Sequence, residues 1–434
     1  MPFRTLAFFY WRRTWRHFAI RNPAVHTLEE KALTYHAAGQ PGKIAIQVTK
    51  TVADSADLAL AYSPGVAAPC LAIQKDPKLA YEYTAKGNLV AVITNGTAVL
   101  GLGDIGALAG KPVMEGKAVL FKKFAGIDAF DLEIDETDPQ KLVDIIASLH
   151  PTFGAINLED IKAPECFYIE RSLRERLSIP VFHDDQHGTA IVVAAGLLNA
   201  LRLTGRDIGT VKIVCSGAGA AAIACLDMLV SLGAQRRNIF VCDSQGVLTT
   251  SRALTGEKLA WAQDTTHTRL SEVIESAEFF LGVSGPGLLS QSDVLKMAPR
   301  PIVFALANPE PELRPELIVE VAPDCIVATG RSDYPNQINN ALCFPYLFRA
   351  ALDSGATTIN QEMKRACAIA LADLARADVR FGNGYIVPDL LDPRLLSSVV
   401  PKVAAAAFQS GVANVALGPA AYSAQLKALA ESLG

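Results

Sequence analysis

The stretch TVKIVCSGAGAAAIACLDMLVSLGAQRRNIFVCD, residues 210–243, decides the fold. Its β-branched run Val211 to Cys215 reads as a strand, and Gly217, Gly219 and Ala222 form a G-x-G-x-x-A turn. An Ala- and Leu-rich helical segment follows, and a second strand, Ile239 to Cys242, runs into Asp243. The first glycine permits a tight turn, the second lets backbone approach a pyrophosphate, the small third residue lets helix pack on strand, and the acid suits a ribose hydroxyl. Helix N-terminal amides favour anions, so the unit predicts a nicotinamide-type dinucleotide site on Gly217, Ala218, Gly219, Ala220 and Ala221. A glycine turn that binds nothing would need none of these flanking elements. Asp243 favours a free 2′-OH and hence NAD, whereas Arg236, Arg237 and Arg252 could meet a 2′-phosphate, so both NAD and NADP stand.

Outward from this unit, the apolar runs Phe279 to Val283, Ile302 to Ala305 and Cys325 to Ala328 alternate with amphipathic or turn-rich segments. That alternation is the signature of a parallel, doubly wound Rossmann-type sheet, here assigned to residues 156–400. Upstream, residues 29–155 mix short β-like runs (Leu89 to Thr94, Ala98 to Leu102) with a helical stretch, Gly116 to Phe124, and read as a mixed α/β N-terminal domain. Helical spacing continues from Gln361. The last segment, 401–434, is expected to be helical and to pack back across both domains.

A chain of 434 residues, 50% hydrophobic and 19% charged, is globular and neither disordered nor collagen-like. No apolar run reaches the roughly 18 residues of a membrane span. Five arginines and no acid fall in residues 1–28, leaving 35 bases against 44 acids elsewhere, which disfavours a nucleic-acid partner for the body. The stretch FFYWRRTWRHFAIR suggests a targeting peptide, but Asn22-Pro23 interrupts it before an apolar core, so residues 1–28 read as a poorly ordered basic extension. Eight cysteines without metal or disulfide spacing read as reduced thiols of a cytoplasmic protein.

A literal G-x-G-x-x-G occurs at Gly101, Gly103 and Gly106, about 22 residues before Asp128. Gly110 and Pro112 oppose an immediate helix there, so it reads as a turn beside a pocket, not a dinucleotide loop. Two acidic pairs, Glu159-Asp160 and Asp184-Asp185, each follow an apolar strand-like run. Ligands of open α/β sheets bind at strand carboxyl ends, and clustered carboxylates without cysteine select Mg²⁺ or Mn²⁺. His183 and His187 flank the second pair and read as structural. Lys117 at the start of an apolar stretch is placed to have a lowered pKa, as a general base requires, with Lys111, Lys122 and Lys123 as alternatives. Tyr62, before a Ser-Pro-Gly turn, holds its phenol near a loop surface, and Asn308 and Asn340 offer polar groups for a carboxylate.

The motifs YSPGVAAPC, NGTAVLGLGDIG, KPVMEGKAVLFKKFAGID, INLEDI, FHDDQHGTA, SGAGAAA, ALANPEPE and NQINNALCFP occur in order over residues 30–430. Together they resemble the bacterial, small-subunit type of malic enzyme. The resemblance implies oxidative decarboxylation of (S)-malate to pyruvate and CO₂ with NADP or NAD and a divalent metal, by a homo-oligomer. By motif it assigns Tyr62 as general acid, Lys117 as general base, and Glu159, Asp160 and Asp185 as metal ligands. Asp184 would stand behind them, Asn308 near nicotinamide, and Asn340 near the substrate carboxylate. Two departures stand out: larger members have arginine at the position of Thr97, and the phosphotransacetylase-like domain of longer bacterial relatives is absent. The alternatives are an amino-acid dehydrogenase of similar plan, which has little use for three metal carboxylates, and a non-catalytic Rossmann nucleotide sensor.

Overall fold

The computed structural model describes residues 27–99, 101–415 and 418–433. The expectation for the basic extension therefore falls almost wholly outside the described residues. The chain divides into two compact units, up to Ala45 and from Ile46 onward. In the first, α1 (Leu28–Ala37) starts at a capping box: Thr27 Oγ1 accepts from Glu30 N, and the Glu30 carboxylate accepts from Thr27 N.

The second unit opens with three short helices, α2 (Ser55–Ala61), α3 (Ala67–Lys75) and α4 (Ala80–Tyr83). A four-stranded sheet follows, built from β1 (Leu89–Thr94), α5 (Ala107–Ala125), β2 (Asp128–Glu133), α6 (Pro139–Leu149), β3 (Ala155–Leu158), α7 (Glu165–Arg176) and β4 (Val181–His183). The strand order is β2-β1-β3-β4 and every pairing is parallel. All six residues of β1 are buried, because helices cover both faces of such a sheet.

This sheet moves the domain division expected at 155/156. Ala155 pairs with Val90 and Ile156 with Val181, so β3 and β4 complete the first sheet instead of opening the second. Apolar strand texture is the same on either side of that line, and only the pairing decides membership. The run Ala98 to Leu102 is not a strand either: its described part makes an isolated bridge, Val99 with Gly103, inside a turn. Nor does α5 wait for Gly116. It begins at Ala107 and passes through Gly110 and Pro112, because burial of Met114, Ala118 and Phe121 outweighs the ~3 kcal/mol cost of an internal proline.

The second sheet comprises β5 (Ile213–Ser216), α9 (Ala220–Ser231), β6 (Ile239–Asp243), β7 (Gly246–Val247), α10 (Leu270–Val273), β8 (Phe279–Gly282), α11 (Gln291–Val294), β9 (Ile302–Ala305), α12 (Pro315–Val321) and β10 (Ile326–Thr329). Its order, β10-β9-β8-β5-β6-β7, is that of a Rossmann sheet, with the two-residue β7 antiparallel. Between the sheets runs α8 (Asp184–Thr204), long and apolar enough to cross a membrane but with Ile191 to Ala195 buried against the core. After it come α13 (Phe344–Asp353), α14 (Gln361–Arg376), α15 (Leu395–Gln409) and α16 (Pro419–Leu433). The helical segment expected from 401 begins earlier, since α15 runs through that position.

These last helices return to the first sheet. Phe121 of α5 meets Phe344 and Phe348 of α13 edge-on at 4.8 and 5.1 Å, and Lys123 Nζ of α5 donates to Leu433 O of α16 at 2.9 Å.

Candidate active site

The neighbouring parallel strands β3 and β4 bring their carboxyl ends side by side, and both acidic pairs sit there. Glu159 and Asp160 directly follow β3, and Asp184 and Asp185 open α8 directly after β4. Ligand oxygens of Glu159, Asp160 and Asp185 lie within 4.8 Å of one another. Asp160 adopts φ 54°, a left-handed conformation costly for a residue with a Cβ. Its own N–H donates to Asp185 Oδ2 at 2.7 Å, which ties the two pairs together. Asn157 Nδ2 holds Glu159 Oε2 at 2.9 Å.

Lys117 comes to this cluster from the middle of α5. Its Nζ lies 2.6 Å from Asp184 Oδ2 and 3.0 Å from Glu159 Oε1, with the Phe344 ring 4.6 Å away. Gly188, one turn into α8, makes the arrangement possible: a Cβ there would collide with the Asp184 carboxylate and with Cβ of Asn340. The structure thus brings Asn340 beside Asp184. Thr97 is buried, and its hydroxyl accepts from Lys162 N at 3.1 Å.

The electrostatics correct one expectation. Burial acts to lower the Lys117 pKa, but Asp184, Glu159 and Asp185 more than reverse it and hold the ammonium charged well above its ordinary value. Burial and the neighbouring Asp185 push Glu159 up to about 7, against the pull of Lys117. Asp184, pushed up by burial against the pull of Lys117, also reaches about 7. Four carboxylates against one ammonium leave a buried excess of negative charge, which a divalent cation would offset. The donor set is all oxygen, as a hard cation requires. Neither histidine belongs to it: buried His183 is held neutral by desolvation, and His187 Nε2 lies 2.9 Å from both oxygens of Glu170.

At the second sheet, the turn after β5 lies where the strand order reverses. Gly217 has φ 118°, and a Cβ on it would come within 2.6 Å of Val283 O, at the end of β8. Gly219 precedes α9, with Ala220 and Ala221 as its first residues, and a Cβ on Gly219 would meet nothing within 4 Å. Gly217, Ala218, Gly219 and Asp243 line one cavity of about 940 Å³. By contrast Gly101, Gly103 and Gly106 all have positive φ and form a turn, and Asp128 begins a strand instead of ending one. A Cβ on Gly101 would approach Pro309 Cδ at 3.4 Å, so that turn sits against the Asn308-Pro309 loop.

Two sequence candidates stay outside these clusters. Tyr62, the C-cap of α2, is 72% exposed, and among the described residues no hydrogen bond or ion pair joins its phenol to Lys117 or to the carboxylates. Asn308 donates through Nδ2 to Leu306 O at 3.2 Å, a local bond within its loop.

One buried acid beside the crevice escaped the sequence reading. Glu312 is fully buried, and its carboxylate accepts from Ser284 N, Ser284 Oγ and Ala307 N at 2.9, 3.2 and 3.1 Å. Ser284 in turn meets Ser216 Oγ at 2.9 Å. One carboxylate therefore ties together the carboxyl ends of β5, β8 and β9, the floor of the crevice. Its only sequence signal was an acid in a proline-rich loop.

Fold and geometry together define a two-sheet α/β protein of the Rossmann class, with a dinucleotide crevice in one sheet and a metal-type acidic cluster on the other. Comparison with known proteins narrows the class. Residues 186–409 match the malic enzyme NAD-binding domain and residues 41–144 the malic enzyme N-terminal domain, and the chain belongs to the malic enzyme family. It is 60% identical over 403 residues to the NADP-dependent malic enzyme of Salmonella typhimurium, covering 89% of this chain and 53% of that enzyme. To the NAD-dependent malic enzyme of Rhizobium meliloti it is 56% identical over 407 residues, covering 90% and 53%. The chain thus spans about half the length of these two relatives. The crystal structure of malic enzyme from Pyrococcus horikoshii Ot3 superposes with a TM-score of 0.88 at 43% identity, covering 93% of this chain and 96% of that one.

Proposed function

We propose that the protein oxidatively decarboxylates (S)-malate to pyruvate and CO₂, reducing NADP or NAD in the presence of Mg²⁺ or Mn²⁺. The observation that carries this reading is the Lys117 amino group, fixed at 2.6 and 3.0 Å between Asp184 and Glu159 on the edge of a three-carboxylate cluster. That geometry supports a reading in which Lys117 serves as proton acceptor once a divalent cation offsets the carboxylate charge around it, as oxidation of a 2-hydroxy acid requires.

In this reading Glu159, Asp160 and Asp185 hold the metal, and Gly217 to Ala221 with Asp243 hold the coenzyme. A bound divalent cation would supply polarisation of the substrate's C2 oxygen, and a bound nicotinamide would supply the acceptor for the C2 hydride. Lys117, neutral once its surrounding negative charge is offset, takes the hydroxyl proton, and Asp184 positions its Nζ. Loss of the C4 carboxylate leaves an enolate, and Tyr62 donates the proton to C3. Asn340, beside Asp184 and Gly188, orients the substrate carboxylate, and Asn308, whose amide bonds within its own loop, is assigned to the coenzyme by motif alone. The N-terminal malic enzyme portion expected at residues 29–155 then extends through β3 and β4, and the coenzyme portion expected at 156–400 begins after β4.

The same reading makes the protein a cytoplasmic homo-oligomer of two or more copies without nucleic-acid or membrane partners. Exposed Ile46, Val48, Leu58, Leu60 and Leu71 support self-association, and seven buried free cysteines suit a reducing compartment. The test is spectrophotometric reduction of NADP and NAD with malate, with and without Mn²⁺. Metal-dependent reduction is expected, and none with either coenzyme would overturn the reading.

A further inference from the structure

A second cavity, of about 700 Å³, is walled by α7, α8, α9 and α14. None of Lys117, Glu159, Asp160, Asp184 and Asp185 lines it, nor do Gly217, Gly219 and Asp243. It adjoins the coenzyme crevice, sharing Phe167, Ile223 and Glu257 with it. On its wall stands Lys364 of α14, only 9% exposed. A buried ammonium ordinarily faces a carboxylate. Lys364 does not: among the described residues no ion pair reaches its Nζ, and its one hydrogen-bond partner is His187 Nδ1 at 3.4 Å.

The acids of the cavity are engaged elsewhere or exposed. Glu170 can only accept as a carboxylate, and it takes the Nε2 proton of His187 at 2.9 Å on both oxygens, with Gln186 Nε2 at 3.5 Å. Asp227 pairs with Arg236 and Glu257 with Arg171, each at 3.1 Å, and Glu175 is exposed. A second cation, Arg174 of α7, lies on the same wall. Its Nη2 donates to two neutral oxygens, Thr358 Oγ1 and Ile359 O, at 3.4 and 3.3 Å, and among the described residues it has no acid partner either. Burial, with repulsion from Arg174, lowers the Lys364 pKa to about 8 despite Glu170. Two neighbouring cations thus share one cavity without an acid of their own.

We propose that this cavity is a second ligand site, for a small metabolite whose phosphate or carboxylate oxyanion is held jointly by Lys364 and Arg174. Thr357 and Thr358 on the same wall offer hydroxyls to its remaining oxygens. Such charge-assisted contacts are about twice as strong as neutral ones, and the anion supplies the counter-charge that the buried lysine lacks. A ligand held here touches neither the acidic cluster nor the Gly217 turn, so it is neither the substrate nor the coenzyme of the activity proposed above.

The test is thermal melting of the full chain at neutral pH, without malate, coenzyme or metal, in rising inorganic phosphate and, separately, in rising acetate, with ionic strength held by sodium chloride. An anion that binds only the folded chain raises its melting temperature. At least one of the two is expected to do so, phosphate alone marking a phosphorylated ligand and acetate alone a carboxylic acid. Lys364→Met and Arg174→Gln should each require about tenfold more anion for the same rise. Gly219→Val, altered in the coenzyme crevice, should respond as the wild type does. No stabilisation by either anion, an undiminished response in both cavity variants, or loss of the response in Gly219→Val overturns the proposal.

Discussion

Lys117 and Asp184 stand 67 residues apart in the chain and 2.6 Å apart between Nζ and Oδ2. Helix α5 supplies one and the first turn of α8 the other, and Gly188 leaves the space that lets them meet. The chemistry proposed for the protein turns on this pair and on the three carboxylates beside it.

Asp185 both joins the carboxylate cluster and accepts from the Asp160 backbone. Asp185→Ala is expected to abolish metal-dependent turnover while leaving coenzyme affinity within about twofold, because the pyrophosphate loop belongs to the other sheet. Mn²⁺ titration followed by electron paramagnetic resonance, paired with coenzyme calorimetry, checks both halves. Wild-type activity at limiting Mn²⁺ would remove Asp185 from the ligand set.

Gly219 separates coenzyme binding from folding. Because a Cβ there meets nothing in the protein, Gly219→Val should fold with an unchanged melting temperature while its larger side chain blocks the pyrophosphate. A loss of affinity for NADP of about tenfold or more is expected. Unaltered affinity in the folded variant would contradict the assignment of the loop.

Tyr62 stands exposed at the end of α2. As the donor to C3 it contributes on the order of 10²–10⁴-fold, so Tyr62→Phe should slow exchange of the C3 protons of pyruvate by that factor. Exchange at the wild-type rate would assign the proton to another residue.

Lys364 offers a test of packing by pH. It is buried on α14, with Nζ 3.4 Å from His187 Nδ1, and burial pulls its pKa from 10.5 down to about 8 despite Glu170. The folded value lies below the unfolded one, so between pH 8 and 10.5 the unfolded chain holds a proton that the folded chain lacks. Stability from this group therefore rises with pH across that window and is at its lowest below it. Lys364→Met should be more stable at pH 7, by up to ~3 kcal/mol, and the advantage should shrink as pH rises. Parallel profiles of melting temperature against pH for the two proteins would refute this.

What could be read in the sequence was local. The unit from Val211 to Asp243 carries its strand, turn, helix and acid within one βαβ length, and the structure reproduces it element by element. The two acidic pairs were legible for the same reason, each lying at the end of its own strand. Whatever depends on distant partners was not. The place of Ala155 was fixed by Val90, and the protonation of Lys117 by Asp184, neither of which spacing reveals. Lys258 lies in a segment without periodicity, and only the fold of that loop carries it to Asp243.

The central claim, that Lys117 takes the hydroxyl proton of malate at the acidic cluster, is tested most directly by comparing two reactions of Lys117→Ala against the wild type with Mn²⁺ present. Malate oxidation should fall by about 10²–10⁴-fold, while decarboxylation of supplied oxaloacetate, which needs no hydroxyl proton removed, should fall much less. Equal loss in both reactions, or malate oxidation at the wild-type rate, would contradict the account.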